Sequence, residues 1–116
     1  MDIIKTIEQN VAVLSISGRL MGQPETHILF EYVYQVLDEG QKLIVIDLEK
    51  VNWINSLGIG SLMKCLSWTN EQKGHLFLSG LNKKIKGIFD KTQLSKIFII
   101  ENRVGDAVKN LHKLNV

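Results

Sequence analysis

One cysteine, one proline and no block of either charge exclude several kinds of protein at the outset. Cys65 stands alone, so no disulfide can close within the chain and no cysteine-based zinc site can form. It falls in an apolar helical pattern, where a lone thiol behaves as a small buried hydrophobe. With 14 basic and 12 acidic residues the net charge is only +2. The longest basic cluster, Lys83, Lys84 and Lys86, lies on an amphipathic segment and reads as a solvated helix face, smaller than a nucleic-acid footprint. No apolar run approaches the length of a membrane span. The start, Met1-Asp2-Ile3-Ile4-Lys5, lacks the basic and apolar regions of a signal peptide. The expectation is a cytoplasmic protein with no nucleic-acid partner, no membrane insertion, and neither metal nor cofactor.

What is present is enough apolar material for a core. At 116 residues with 45% hydrophobic and 22% charged side chains, residues 1–116 are expected to form one globular domain. Residues 3–8 and 11–17 alternate apolar with polar around Gln9-Asn10, the pattern of a β-hairpin that Gly18 ends. Pro24 suits a first helical position. Ile28, Leu29, Tyr32, Val33, Val36 and Leu37 then recur on one helical face until Gly40. Residues 43–48 are almost wholly apolar, as in a strand covered on both sides.

A helix from Ser56 to about residues 70–74 is predicted to bury Ile59, Leu62, Met63 and Leu66. A strand over 75–79, a helix over 83–92, a strand over 96–100 and a helix over 103–114 complete the chain. The inward positions of those two helices are Ile85, Ile88 and Phe89, then Val104, Ala107, Val108 and Leu111. The order β-β-α-β-α-β-α-β-α defines an α/β fold with a mixed, mostly parallel five-stranded sheet and four helices. Ligands of such sheets gather beyond the carboxyl ends of the parallel strands, where Ser56 stands.

Three chemistries suit Asn55-Ser56-Leu57-Gly58-Ile59-Gly60. A helix N-terminus with two glycines resembles a phosphate cradle. Neither Gly-x-x-x-x-Gly-Lys-Ser/Thr nor Gly-x-Gly-x-x-Gly is present, however, and Lys64 lies a turn too far along. An esterase elbow needs Gly-x-Ser-x-Gly, but Ile54 occupies the first glycine's place. Its base and acid would be His112 and Asp106, while His27 and His75 are scattered elsewhere. The third reading makes Ser56 the substrate of another enzyme. Asn55 caps the helix and Ser56 takes its first position with the hydroxyl outward. Gly58 and Gly60 each cost about 1 kcal/mol relative to alanine in a helix, and either close packing or a partner's approach offsets that.

These residues resemble the STAS domain family, and within it the bacterial anti-sigma-factor antagonists. The stretch from Asp47-Leu48 through Val51-Asn52-Trp53-Ile54-Asn55-Ser56-Leu57-Gly58-Ile59-Gly60 is similar to the family's central pattern. Gly18-Arg19-Leu20, Leu81, Lys91-Thr92, Leu94, Phe98 and Asp106-Ala107 match its flanks. The resemblance implies a switch and not an enzyme. The unphosphorylated protein binds a serine kinase that is also an anti-sigma factor, releasing the sigma factor. The kinase phosphorylates Ser56, and a metal-dependent serine phosphatase resets it. Asn55, Leu57, Gly58, Ile59, Gly60 and Met21 would form the partner surface.

This chain departs from the pattern at three of those positions. Asn55 stands where aspartate is usual, Leu57 where a hydroxyl residue is usual, and Met21 where aspartate is common. Those departures motivate an alternative, a STAS scaffold without a switch in a stress-signalling assembly or lipid-transport complex. Trp53 is expected in the core, with a partner contact as the alternative, and Trp68 and Tyr34 fit core or partner contact in the same way.

Overall fold

The computed structural model describes residues 2–114. Strands β1 (Asp2–Glu8) and β2 (Val11–Leu20) form the hairpin, followed by α1 (Glu25–Asp38), β3 (Leu43–Ile54) and α2 (Ser56–Glu71). Then come β4 (His75–Ser79), α3 (Lys83–Lys91), a 3-10 turn (Leu94–Lys96), β5 (Ile99–Glu101) and α4 (Val104–Leu114). The strands lie in the order β1-β2-β3-β4-β5. Only the β1–β2 pair is antiparallel; every other pair is parallel. This is the mixed five-stranded sheet with four helices that the pattern of the chain predicts.

Local chemistry accounts for the junctions. Gln9 and Asn10 both take positive φ (49° and 66°), as a two-residue hairpin turn matched to the strand twist requires. Gly40, at φ +89°, ends α1. Its N–H reaches the Leu37 carbonyl and that of Gln41 reaches Val36, which satisfies carbonyls the helix would otherwise leave unpaired.

The side-chain alternation of the strands builds two layers. Ala12, Leu14, Ile16, Ile44, Ile46, Leu48, Leu76 and Leu78 pack on one face with Leu29, Val33 and Val36 of α1, Leu62 and Cys65 of α2, and Ile85 and Phe89 of α3. Val11, Val13, Leu43, Val45 and Phe77 pack on the other with Ala107, Val108 and Leu111 of α4. One helix cannot cover that second face. On the same face the rung Ser15, Asp47, Ser79 and Glu101 crosses β2 to β5. The Asp47 carboxylate accepts hydrogen bonds from Ser15 Oγ (3.4 Å), Ser79 Oγ (3.2 Å) and the Glu49 N–H (3.2 Å). Ser15, Asp47 and Ser79 satisfy one another, and Glu101 accepts from Asn110 Nδ2 of α4 at 2.8 Å.

Several expectations are corrected. The strand expected to close at Leu48 continues to Ile54, and β2 passes through Gly18 to Leu20. Two register shifts let this ribbon outrun the sheet, so Glu49 and Lys50 face solvent between buried Leu48 and Val51, and Asn52 and Trp53 between Val51 and Ile54. Trp53 is therefore not a core residue; it is 40% exposed. Ile28 and Met63 are also exposed, since each lies at the edge of its helix's apolar face. Pro24 caps α1 instead of beginning it. The strand expected over 96–100 shortens to Ile99–Glu101, because Leu94 and Phe98 turn into the core through the 3-10 segment.

Candidate functional site

The site stands where the long β2–β3 ribbon meets the first turn of α2. Asn55 is extended (φ −113°, ψ −173°), and its Oδ1 accepts from the Gly58 N–H at 3.0 Å. That bond caps one of the N–H groups a helix start leaves unpaired. The same side chain has a second role. Its Nδ2 donates to the Met21 carbonyl at 2.9 Å, and the Asn55 N–H donates to the Leu20 carbonyl at 3.3 Å. Asn55 thus ties α2 to the β2–α1 loop. An aspartate has no donor for Met21, so the amide is a structural choice here.

The two glycines do different work. A Cβ on Gly58 would lie 2.0 Å from the Leu20 carbonyl oxygen and 2.7 Å from Ile54 Cγ1. The obstacle is backbone and cannot yield, so Gly58 is required for α2 to seat on the ribbon. A Cβ on Gly60 would meet nothing within 4 Å. Close packing explains Gly58 and leaves Gly60 unexplained by the fold.

Ser56 is exposed at the first position of α2, its hydroxyl free of hydrogen bonds among the described residues. Leu57 beside it is 63% exposed and lies against Gly22, while Met21 is 38% exposed. Ile59 is half-buried against the core. The predicted partner residues thus divide. Ser56, Leu57, Gly60 and Met21 reach the surface; Gly58 is buried and Asn55 is half-buried in the cap.

Beside Ser56 the N-terminal halves of α1 and α2 leave an open groove of about 320 Å³. Gln23, Thr26 and Phe30 line one wall, and Ser56, Gly60 and Lys64 the other. Three rungs join the helices. Ser61 Oγ donates to the Thr26 carbonyl (3.2 Å), Lys64 Nζ lies 4.2 Å above the Phe30 ring centroid, and Tyr34 stacks on Trp68 (5.8 Å between centroids, 19° between planes). The rungs advance together along both helices, so these run side by side in parallel. Tyr34 and Trp68 thus form a helix–helix contact at the protein surface. Lys64 is held by a cation–π contact, a role no pattern within α2 alone could disclose.

The esterase geometry is absent. Ser56 begins α2 on one face of the sheet, whereas Asp106 and His112 lie on α4, which packs on the other. His27 is near the groove but pairs with Glu31 at 2.9 Å, and His75 is exposed on β4. Among the described residues no group of His, Cys, Asp and Glu could hold a metal ion, and no helix is long and apolar enough to cross a membrane. Burial pushes the Cys65 thiol up to about 12, against the opposing pull of the Lys64 ammonium, so it is no nucleophile.

This architecture has known relatives. A match to the STAS domain covers residues 2–107, and the chain belongs to that family. Among solved structures, an anti-sigma factor antagonist from Mycobacterium paratuberculosis superposes with a TM-score of 0.83 at 20% identity, over 96% of this chain and 93% of that one. The Bacillus cell fate determinant SpoIIAA in its phosphorylated form gives 0.72 at 13% identity, over 94% and 98%. A sulfate transporter family protein from Wolinella succinogenes gives 0.75 at 17% identity, over 95% and 91%. At these identities the likeness is one of fold.

Proposed function

We propose that this protein is an anti-sigma-factor antagonist switched by phosphorylation of Ser56. The observation that carries the reading is an unencumbered serine hydroxyl at the first position of a capped helix, beside an open groove and exposed Met21 and Leu57. In the unphosphorylated state this surface binds a serine kinase that is also an anti-sigma factor, and the sigma factor is released. The kinase transfers the γ-phosphoryl group of ATP to Ser56 Oγ; the hydroxyl proton passes to the kinase's base, and ADP leaves. A metal-dependent serine phosphatase hydrolyses the phosphoserine. The likeness of the fold to a phosphorylated SpoIIAA supports this assignment.

The switch acts on the interface and not on the core. A phosphate near −2 charge is favourable at a helix N-terminus, so the domain keeps its structure. In a desolvated interface without a cation opposite, the same charge costs about 4 kcal/mol, roughly a thousandfold in affinity. The test is incubation with the kinase and ATP, with the phosphate located by mass spectrometry. One phosphate on Ser56 is expected; phosphate elsewhere, or none, overturns the assignment.

A second reading has its own support. The fold is also that of a sulfate transporter family protein, and Leu57 replaces the usual hydroxyl residue. Here the domain is a scaffold without a switch, in a stress-signalling assembly or a lipid-transport complex. Co-purification with a transporter ATPase or a large assembly, together with a harmless Ser56→Ala in cells, would select it.

A further inference from the structure

The two edges of the sheet are unequal. β5 is three residues long, whereas β1 offers seven in unbroken register with β2. Every residue of β1 except Ile3 is exposed, and Ile4 and Ile7 are 63% and 57% exposed on opposite faces. Glu8 and Val11 flank a two-residue turn and so form a hydrogen-bonded pair. By alternation, Asp2, Ile4 and Thr6 also turn their main-chain groups towards β2. The N–H and C=O groups of Ile3, Lys5 and Ile7 therefore point out of the sheet, where no strand among the described residues meets them.

Proteins commonly blunt such an edge with proline, a bulge or a projecting lysine. β1 has neither proline nor bulge. Its one lysine, Lys5, is drawn back over the sheet to Glu39 at the end of α1, 3.6 Å away. The edge is thus open to another extended strand.

Its own sequence says which strand fits. Two copies related by a two-fold axis normal to the sheet pair antiparallel, with one residue at the centre, and every side chain keeps its face. Centring on Lys5 sets lysine against lysine and Asp2 against Glu8, and like charges directly opposite are destabilising. Centring on Thr6 leaves each Ile4 beside a Glu8 carboxylate and pairs no apolar side chains. Centring on Ile7 runs the ladder into Gln9, whose positive φ of 49° belongs to the turn. Centring on Ile4 avoids all three faults. Ile4 then meets Ile4 at the close, non-hydrogen-bonded spacing of about 4.5 Å between Cα atoms. Ile3 and Lys5 exchange main-chain hydrogen bonds with the lysine stem over the isoleucine, and Asp2 faces Thr6.

We infer that β1 is the interface for a second copy of this chain, paired antiparallel about Ile4 into one sheet that runs through both molecules. Five residues on each side keep the contact below about 1,200 Å², the range of transient complexes, so the dimer is weak and concentration-dependent. β2 and β3 stand between β1 and the start of α2, so the pairing neither uses Ser56 nor depends on the switch reading.

Sedimentation equilibrium of the purified protein from roughly 1 μM to roughly 1 mM covers that range. A monomer–dimer equilibrium is expected for the wild type and for Lys5→Ala, which loses only an exposed ion pair. Lys5→Pro removes an outward N–H and no bond between β1 and β2. It should unfold near the wild-type temperature and yet remain monomeric at the highest concentration. Ile4→Glu sets two carboxylates at the centre and should weaken dimerisation at least tenfold. Amide exchange is a second readout. The Ile3 and Lys5 N–H groups should become protected as the concentration rises, while those of Ile4 and Thr6 are protected throughout. A wild type that stays monomeric across the range, a dimer that persists in Lys5→Pro, or an assembly larger than a dimer overturns the inference. If Lys5→Pro fails to fold, Ile4→Glu and the exchange of the Lys5 amide decide.

Discussion

Asn55 holds the Gly58 N–H and the Met21 carbonyl with opposite ends of one amide, at 3.0 and 2.9 Å. The cap of α2 and the position of the β2–α1 loop are therefore not independent. Changing this side chain acts on both.

Asn55→Asp should reveal that coupling. The carboxylate still caps the helix and gains from the helix dipole, but it loses the donor to Met21 and sets negative charge against a carbonyl. A net loss of about 1 kcal/mol is expected, read as a lower urea midpoint. Asn55→Ala removes both bonds and should cost about 2 kcal/mol. An aspartate variant as stable as the wild type would show that the Met21 bond contributes nothing.

Gly58→Ala should be among the most damaging single-methyl changes in the chain. Its Cβ meets a backbone oxygen, so α2 must lift off the ribbon at a cost of about 3 kcal/mol. Chemical denaturation measures this directly. Gly60→Ala, identical in chemistry and two residues away, is expected to shift the midpoint in the other direction.

Ser56→Asp should leave the fold unharmed, with a melting temperature at or slightly above the wild type, because a negative charge at the first helical position favours the N-terminus. Kinase binding should fall steeply, and Ser56→Ala should bind persistently in the presence of ATP. If Ser56→Asp instead melts many degrees lower, the charge acts on the core and the interface argument fails.

Cys65 provides a pH prediction whose sign follows from burial. Its folded-state pKa, raised to about 12 from an ordinary 9.0, keeps the thiol protonated while the unfolded chain would ionise it. Its stabilising contribution is whole below pH 9 and is lost as the pH rises towards 12. Stability measured from pH 8.5 to 10.5 should fall more steeply in the wild type than in Cys65→Ala. Equal slopes would mean that the thiol ionises within the folded protein.

Much of the fold was legible because period and punctuation are local. The Gln9-Asn10 turn, the Gly40 stop and the Asn55 cap need only neighbouring residues. Trp53 was misplaced because an aromatic beside apolar residues looks buried. Only the overrun of the β2–β3 ribbon past β4 puts it in solvent. The strand over 96–100 was misread for a related reason: Leu94 and Phe98 answer to the core between α3 and the sheet rather than to strand alternation.

By itself the sequence determined the order of the elements, the mixed sheet, the cap at Asn55 and the exposed position of Ser56, since each follows from backbone chemistry within a few residues. It could not apportion Gly58 and Gly60. That required knowing what lies opposite each Cα, and tertiary packing alone sets that: a carbonyl of β2 for one, open groove for the other. The same holds for Lys64. Its place over Phe30 joins residues 34 positions apart, a contact that exists only because two parallel strands bring their following helices side by side.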